Sequence, residues 1–352
     1  ARIITESEYN HVAIDQFVAT LYPMLPEFVS YSTDIDMSVS LEFSQAVYRL
    51  GHSMLMEKLQ IGIQDANGNN PGDPGYNPTF TEEGLFDAFL NPDMYAQYGP
   101  AAIAVGLMNE TGNQIDEFVT AGLQQSLVGV PLDLAALNIA RGRDVGLPTL
   151  NEFRKQVFDG LTQNSSNNSN ASGIAPYSSW EDFGGHLRNP GSLVNFIAAY
   201  GRENDVFHLQ DMREAYESGV DASGNLPGDP GYTEPSVTLQ DLRANAQKIL
   251  DAAADPMDPL HDDAVMFMRG EGQPTYDPTN PNAVNGWVFS GGGAGDQGFW
   301  DIDLWIGGLA EQPLFDGPLG TSFSFIMLDF AQRMQDGDRF YYLYRMPMGH
   351  HL

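Results

Sequence analysis

Apolar residues recur at three- and four-residue spacing over much of this 352-residue chain, and that rhythm commits it to helices. Residues 2 to 21 place Ile3, Ile4, Val12, Ile14, Phe17, Val18 and Leu21 on one stripe. Residues 38 to 60 repeat the pattern with Val39, Phe43, Val47, Leu50, Met54 and Leu55, which predicts a helix of several turns. Further helical patterns span 116–127, 150–161, 192–200, 239–254 and 322–334. The alternation of a half-buried strand is confined to Leu59, Ile61 and Ile63, ahead of the turn dipeptide Asn67-Gly68, and predicts one hairpin. The expected fold is mainly α, with few short strands and long loops.

Composition narrows the chemistry. With 16 Lys and Arg against 47 Asp and Glu, the net charge is −31, so a nucleic-acid backbone or an anionic membrane face would be repelled. No apolar run reaches the roughly 18–20 residues of a membrane span. There is no cysteine, which excludes disulfides, thiolate metal sites and cysteine nucleophiles. Metal chemistry therefore falls to the seven histidines, the methionines and the carboxylates. An acidic, cysteine-free surface suits a secreted protein.

Two loops repeat each other. Residues 65–76 and 221–232 both read Asp-Ala-x-Gly-Asn-x-Pro-Gly-Asp-Pro-Gly-Tyr. Alternating oxygen side chains invite a calcium reading, but an EF-hand loop needs Gly at its sixth position and Glu at its twelfth. Asn70 and Tyr76 stand there, so a pair of Gly/Pro turns is the better account. A Ser/Asn run at 163–172 and a glycine run at 290–295 bracket a polar region, 163–298, which reads as an insertion within a single domain spanning 1–352.

Among the histidines, His52 is singular. It follows Arg49 by three residues, on the same helical face, and Gly51 beside it would let a flat group approach the imidazole. On local features alone a core histidine beside a salt-bridged arginine is the commoner case. The second constellation is 137–148, Leu-Asn-Ile-Ala-Arg-Gly-Arg-Asp-Val-Gly-Leu-Pro, where Asn138, Arg141 and Arg143 interrupt an apolar stretch. In a chain so poor in arginine, this pattern asks for an anionic partner or an internal ion-pair cluster.

Together the two segments carry a resemblance. Arg49-Leu50-Gly51-His52 resembles the Arg-Tyr-Gly-His motif of animal-type haem peroxidases, the peroxidase–cyclooxygenase superfamily. Residues 137–148 resemble that family's Leu-Asn-Ile-Gln-Arg-Gly-Arg-Asp-His-Gly-Leu-Pro signature. Residues 1–25, 86–92, 301–311 and 336–340 follow in the family's order, so the likeness covers about 1–150 and 299–345.

The resemblance implies roles. His52 becomes the proximal ligand to haem iron, with Asn138 accepting its Nδ1–H and making the imidazole more electron-rich. Arg49 and Arg141 become partners of the haem propionates. The fatty-acid dioxygenases of the superfamily place a Tyr where Arg49 stands, so a peroxidase is favoured. The expected cofactor is haem b, with covalent attachment left open. The family's calcium site, distal His and distal Arg precede the segment resembling Ala1, so an N-terminal companion segment or chain is expected to supply them. The implied reaction uses hydrogen peroxide to oxidise halides or small organic donors. The alternative is a non-catalytic peroxidase-like adhesion or matrix module.

Overall fold

The computed structural model describes residues 8, 11–23, 25–89, 91–125, 132–163, 173–203, 206–269, 275–276, 287–288, 297–314 and 316–345. Its contacts gather into two units, Met37–Leu147 and Ala1–Asp36 with Pro148–Leu352. The architecture is mainly α, as the periodicity requires.

The unit Met37–Leu147 contains the turns that carry Arg49 and His52, and the predicted hairpin. Ser40 caps α1 (Leu41–Gln45), its hydroxyl accepting from the Phe43 amide at 3.1 Å. The long helix expected over 38–60 is not formed. Ala46 departs from helical geometry (φ −117°, ψ −74°), Val47–Arg49 tightens into a 3₁₀ turn, and α2 (Gly51–Met54) follows. Leu55 is already extended, because the alternating residues after it belong to a strand. That strand, β1 (Lys58–Ile63), pairs antiparallel with β2 (Thr79–Gly84), Ile61 standing opposite Thr81.

Helix α3 (Pro92–Asn109) lies across β1, capped by the Asn91 side chain and kinked at Gly99-Pro100. Contact is so close at Gly106 that a Cβ there would stand 1.8 Å from the Gln60 carbonyl oxygen. The helix expected over 116–127 shrinks to Ala121–Gln125, since the Asp116 carboxylate accepts from the Phe118 amide and holds a turn instead. Residues 126 and 127 of that expectation lie outside the described residues. Helix α4 (Leu134–Asp144), capped by Asp133, packs against α1.

The other unit is built around α5 (Leu150–Gln163), α6 (Leu193–Tyr200), α7 (Leu209–Ser218), α8 (Leu239–Ala254), α9 (His261–Arg269), α10 (Leu304–Ala310) and α11 (Thr321–Gly337). The predicted segment at 239–254 is α8 itself, opened by a capping box in which Thr238 and Asp241 each bond the other's backbone amide. Within 2–21, the described residues form a π-helical turn, His11–Val18, and then Ala19–Leu21.

The core of this unit joins Leu150, Trp180, Phe183, Leu304, Trp305 and Phe323, all nearly inaccessible. At its centre Arg154 and Glu311, each 2% exposed, pair at 2.7 Å. The pair is fully partnered. Arg154 also donates to the Ala175 and Gly173 carbonyls, and Glu311 accepts from the Tyr177 hydroxyl, the Ser322 hydroxyl and the Ser322 amide. Gly320 makes this possible, because a Cβ there would lie 2.2 Å from that of Glu311.

The repeated loops have the same structure. Asp65 Oδ1 accepts from the amides of Asn67 and Asn69, and Oδ2 from the Asn69 side chain and the Asn77 amide. Asp221 repeats this with Ser223, Asn225, the Asn225 side chain and Thr233. The glycines match too, Gly68, Gly72 and Gly75 having φ of 84°, 95° and 84° against 82°, 100° and 91° at Gly224, Gly228 and Gly231. In both loops the aspartate carboxylate gathers the amides of the turns around it, the bonding of Asx-type turns.

Candidate functional site

His52, Arg49 and Asn138 meet within the unit Met37–Leu147. The 3₁₀ turn carries Arg49 back over α1, where its Nη2 donates to Gln45 Oε1 at 2.8 Å. Its Nη1 donates to Asn138 Oδ1 at 2.7 Å. Asn138 projects from the buried face of α4, 1% exposed, and its Nδ2 stands 2.9 Å from His52 Nδ1. A chain of contacts therefore runs Gln45–Arg49–Asn138–His52. Local sequence reading missed Gln45, although its position four residues before Arg49 is the spacing that brings helix side chains together.

The amide faces opposite to the expectation. Arginine carries only donors, so the atom of Asn138 that meets Arg49 is its oxygen, and the atom left for His52 is its nitrogen. An NH₂ group can only donate, so His52 Nδ1 accepts. The predicted Asn138–His52 contact is present, but the Nδ1–H donation expected of His52 is not.

The electrostatics are those of a site prepared for an anion. Burial first, and the nearby Arg141 charge second, hold the Arg49 pKa below its ordinary value. Among the described residues neither Arg49 nor Arg141 forms an ion pair with a carboxylate, and Arg49 Nε is buried without a hydrogen-bond partner. Burial, then the Arg49 charge, lower the His52 pKa and favour the neutral imidazole that can ligate a metal. No described atom lies within 4 Å of the place where a Cβ would stand on Gly51, beyond its chain neighbours and own helix. A flat dianionic macrocycle fits this donor set: one neutral imidazole, two cations and open space at the glycine.

The large cleft in the same unit is a different place. It measures 910 Å³ and is lined by Glu57, Glu82, Glu110, Asp116 and Lys58, among others. His52, Arg49 and Asn138 do not line it, and its acidic wall is unsuited to propionates. His11 and His261 bond the Tyr342 hydroxyl and the Ala252 carbonyl, as ordinary structural histidines do, while His350 and His351 lie outside the described residues.

Comparison with known proteins agrees on the class. The sequence model of the animal haem peroxidase family matches residues 1–206 and 298–350. The chain belongs to the animal haem peroxidase family. Peroxinectin A of Dictyostelium discoideum is 23% identical over 203 residues, covering 56% of this chain and 33% of that protein. Peroxidasin of Drosophila melanogaster is 24% identical over 300 residues, covering 77% of this chain and 18% of that one. Peroxidase A from Dictyostelium discoideum shares the fold, with a TM-score of 0.53 at 19% identity over 98% of this chain and 44% of its own. The chain thus spans a third or less of these two curated relatives. Among the described residues, no helix is long and apolar enough to cross a membrane.

Proposed function

We propose that this chain is the proximal, haem-ligating part of a secreted peroxidase that uses hydrogen peroxide to oxidise halides or small organic donors. His52 would hold the haem iron through Nε2, and Arg49 and Arg141 would receive the propionates. Asn138 supports the imidazole from behind. The observation that carries this reading is Arg49, which among the described residues has no carboxylate partner, standing within reach of the Arg141 charge and beside a neutral-leaning histidine.

When bound, haem supplies the redox chemistry of peroxide reduction. The protein's own part is to hold and orient. Half-buried Arg49 and exposed Arg141 would neutralise the carboxylates of the bound group, through charge-assisted bonds roughly twice as strong as neutral ones. Second-sphere partners such as Asn138 fix the ligand's orientation and basicity, and their loss typically costs about 10–100-fold in metal affinity or activity. Proton transfer at peroxide needs a distal acid–base group, and we assign that group, with its arginine, to a companion segment or chain. The family match leaves 207–297 uncovered but takes in 163–206, so it supports an insertion only over the later part of 163–298.

An absorption spectrum of the purified protein, before and after peroxide, tests the reading, with intact mass on the same sample. A Soret band that shifts on peroxide addition is expected. No Soret band after haem is supplied moves the assignment to a non-catalytic peroxidase-like adhesion or matrix module.

A further inference from the structure

We propose that in the haem-free chain the Arg49–Asn138 hydrogen bond holds His52 in the tautomer that cannot ligate, and that a carboxylate of the arriving group releases it. The inference rests on the assignment of His52 as ligand and concerns how that ligand becomes available.

Donor and acceptor identities fix the tautomer. Arg49 Nη1 meets Asn138 Oδ1 at 2.7 Å, so Asn138 turns its NH₂ toward His52 Nδ1 at 2.9 Å. A neutral imidazole that accepts at Nδ1 carries its proton on Nε2. That proton occupies the lone pair through which iron would be bound. At 1% exposure Asn138 has little access to water as a substitute partner, so its two ends are committed for as long as Arg49 stays.

Among the described residues Arg49 is held only by neutral acceptors, Asn138 Oδ1 and Gln45 Oε1, and its Nε has none. A carboxylate is the stronger acceptor and draws the guanidinium toward itself. Asn138 Oδ1 then loses its donor. Rotation of the amide lets Oδ1 accept from His52 Nδ1–H, which satisfies the oxygen again. The imidazole gives the Nε2 proton to water and takes one from water at Nδ1, so no net charge moves. The exposed nitrogen becomes a bare lone pair in the same event that brings the carboxylate. Arg49 is thus a positioning residue that couples capture of the anionic edge to readiness of the ligand.

The test reads the imidazole nitrogens of the full, haem-free chain by nitrogen–proton NMR on isotope-labelled protein, His52 being assigned by the signal missing in His52→Ala. Wild type is expected to show Nδ1 bare and Nε2 protonated. Metal-free protoporphyrin IX, which brings carboxylates but no iron, should move the proton to Nδ1, and its dimethyl ester should not. Asn138→Asp, whose side chain offers acceptors only, should show Nδ1–H without any porphyrin.

A wild-type His52 already protonated at Nδ1 overturns the inference and leaves haem ligation untouched. A tautomer unmoved by the free acid, or moved equally by the ester, overturns the release step. An unchanged Soret band when His52→Ala is titrated with haem overturns the ligand assignment instead, and the tautomer measurement is unaffected by it.

Discussion

At the scale of single residues, the site turns on how three side chains share a small number of protons. His52→Ala should abolish haem retention, read as loss of the Soret band after gel filtration of a haem-loaded sample. Stoichiometric haem in that variant would sink the assignment. Asn138→Ala should keep haem but alter its reduction potential, measured by spectroelectrochemistry, because the imidazole loses its rear partner. An unaltered potential argues against Asn138 in that role. The lowered His52 pKa also has a signed consequence. The neutral imidazole survives as pH falls through the ordinary value of about 6.5, so haem should be lost only below it. Arg49→Leu removes a charge that depresses this pKa, and the midpoint of haem loss should move to higher pH. A midpoint that stays in place, or moves lower, contradicts the electrostatic account.

At the scale of elements, the sequence was legible where local chemistry and periodicity agreed. The α8 segment reads cleanly because the Thr238–Asp241 capping box and the apolar stripe point the same way. The hairpin reads from three alternating residues and a turn. The long helix expected over 38–60 failed because periodicity does not register the departure at Ala46 or the competing strand after Leu55. The Arg49–Asn138 contact spans 89 residues, and no local pattern could join its ends. The resemblance to a known motif pair did so, without the direction of the amide.

The twin loops carry a prediction of their own. Hydrogen bonds, that of the Asn77 amide foremost, hold the Asp65 pKa at about 2, and similar bonds lower that of Asp221. A depressed carboxylate lends stability above its unfolded pKa of about 3.9 and loses it as pH falls through the folded value. The protection of the Asn67, Asn69 and Asn77 amides against exchange, taken relative to the free-peptide rate at each pH, should therefore fall between about pH 4 and 2. Asp65→Ala should show the same loss of protection at neutral pH, and unchanged protection there would remove the carboxylate from the account.

At the scale of the whole molecule, two features govern stability. The −31 charge repels itself, so the thermal midpoint should rise as salt screens it, most steeply below about 0.15 M, where the Debye length is about 8 Å. A midpoint indifferent to salt would mean that the carboxylates are already neutralised by local partners. The Arg154–Glu311 pair is the opposite case, dry and beyond the reach of salt. Breaking a buried pair by removing one partner costs about 3–5 kcal/mol. Glu311→Ala should show a loss of this size in chemical denaturation, and a loss below 1 kcal/mol would mean that water takes the place of the carboxylate.

The loop framed by Asp65 occurs a second time, around Asp221, in the other unit and at the same glycine angles. Its conformation therefore owes little to what surrounds it. Twelve residues carry their own instructions for folding, with one carboxylate as the hub and glycines at the bends. Such a segment is portable: grafted between two strands or two helices of an unrelated scaffold, it should close the same ring of amides around its aspartate.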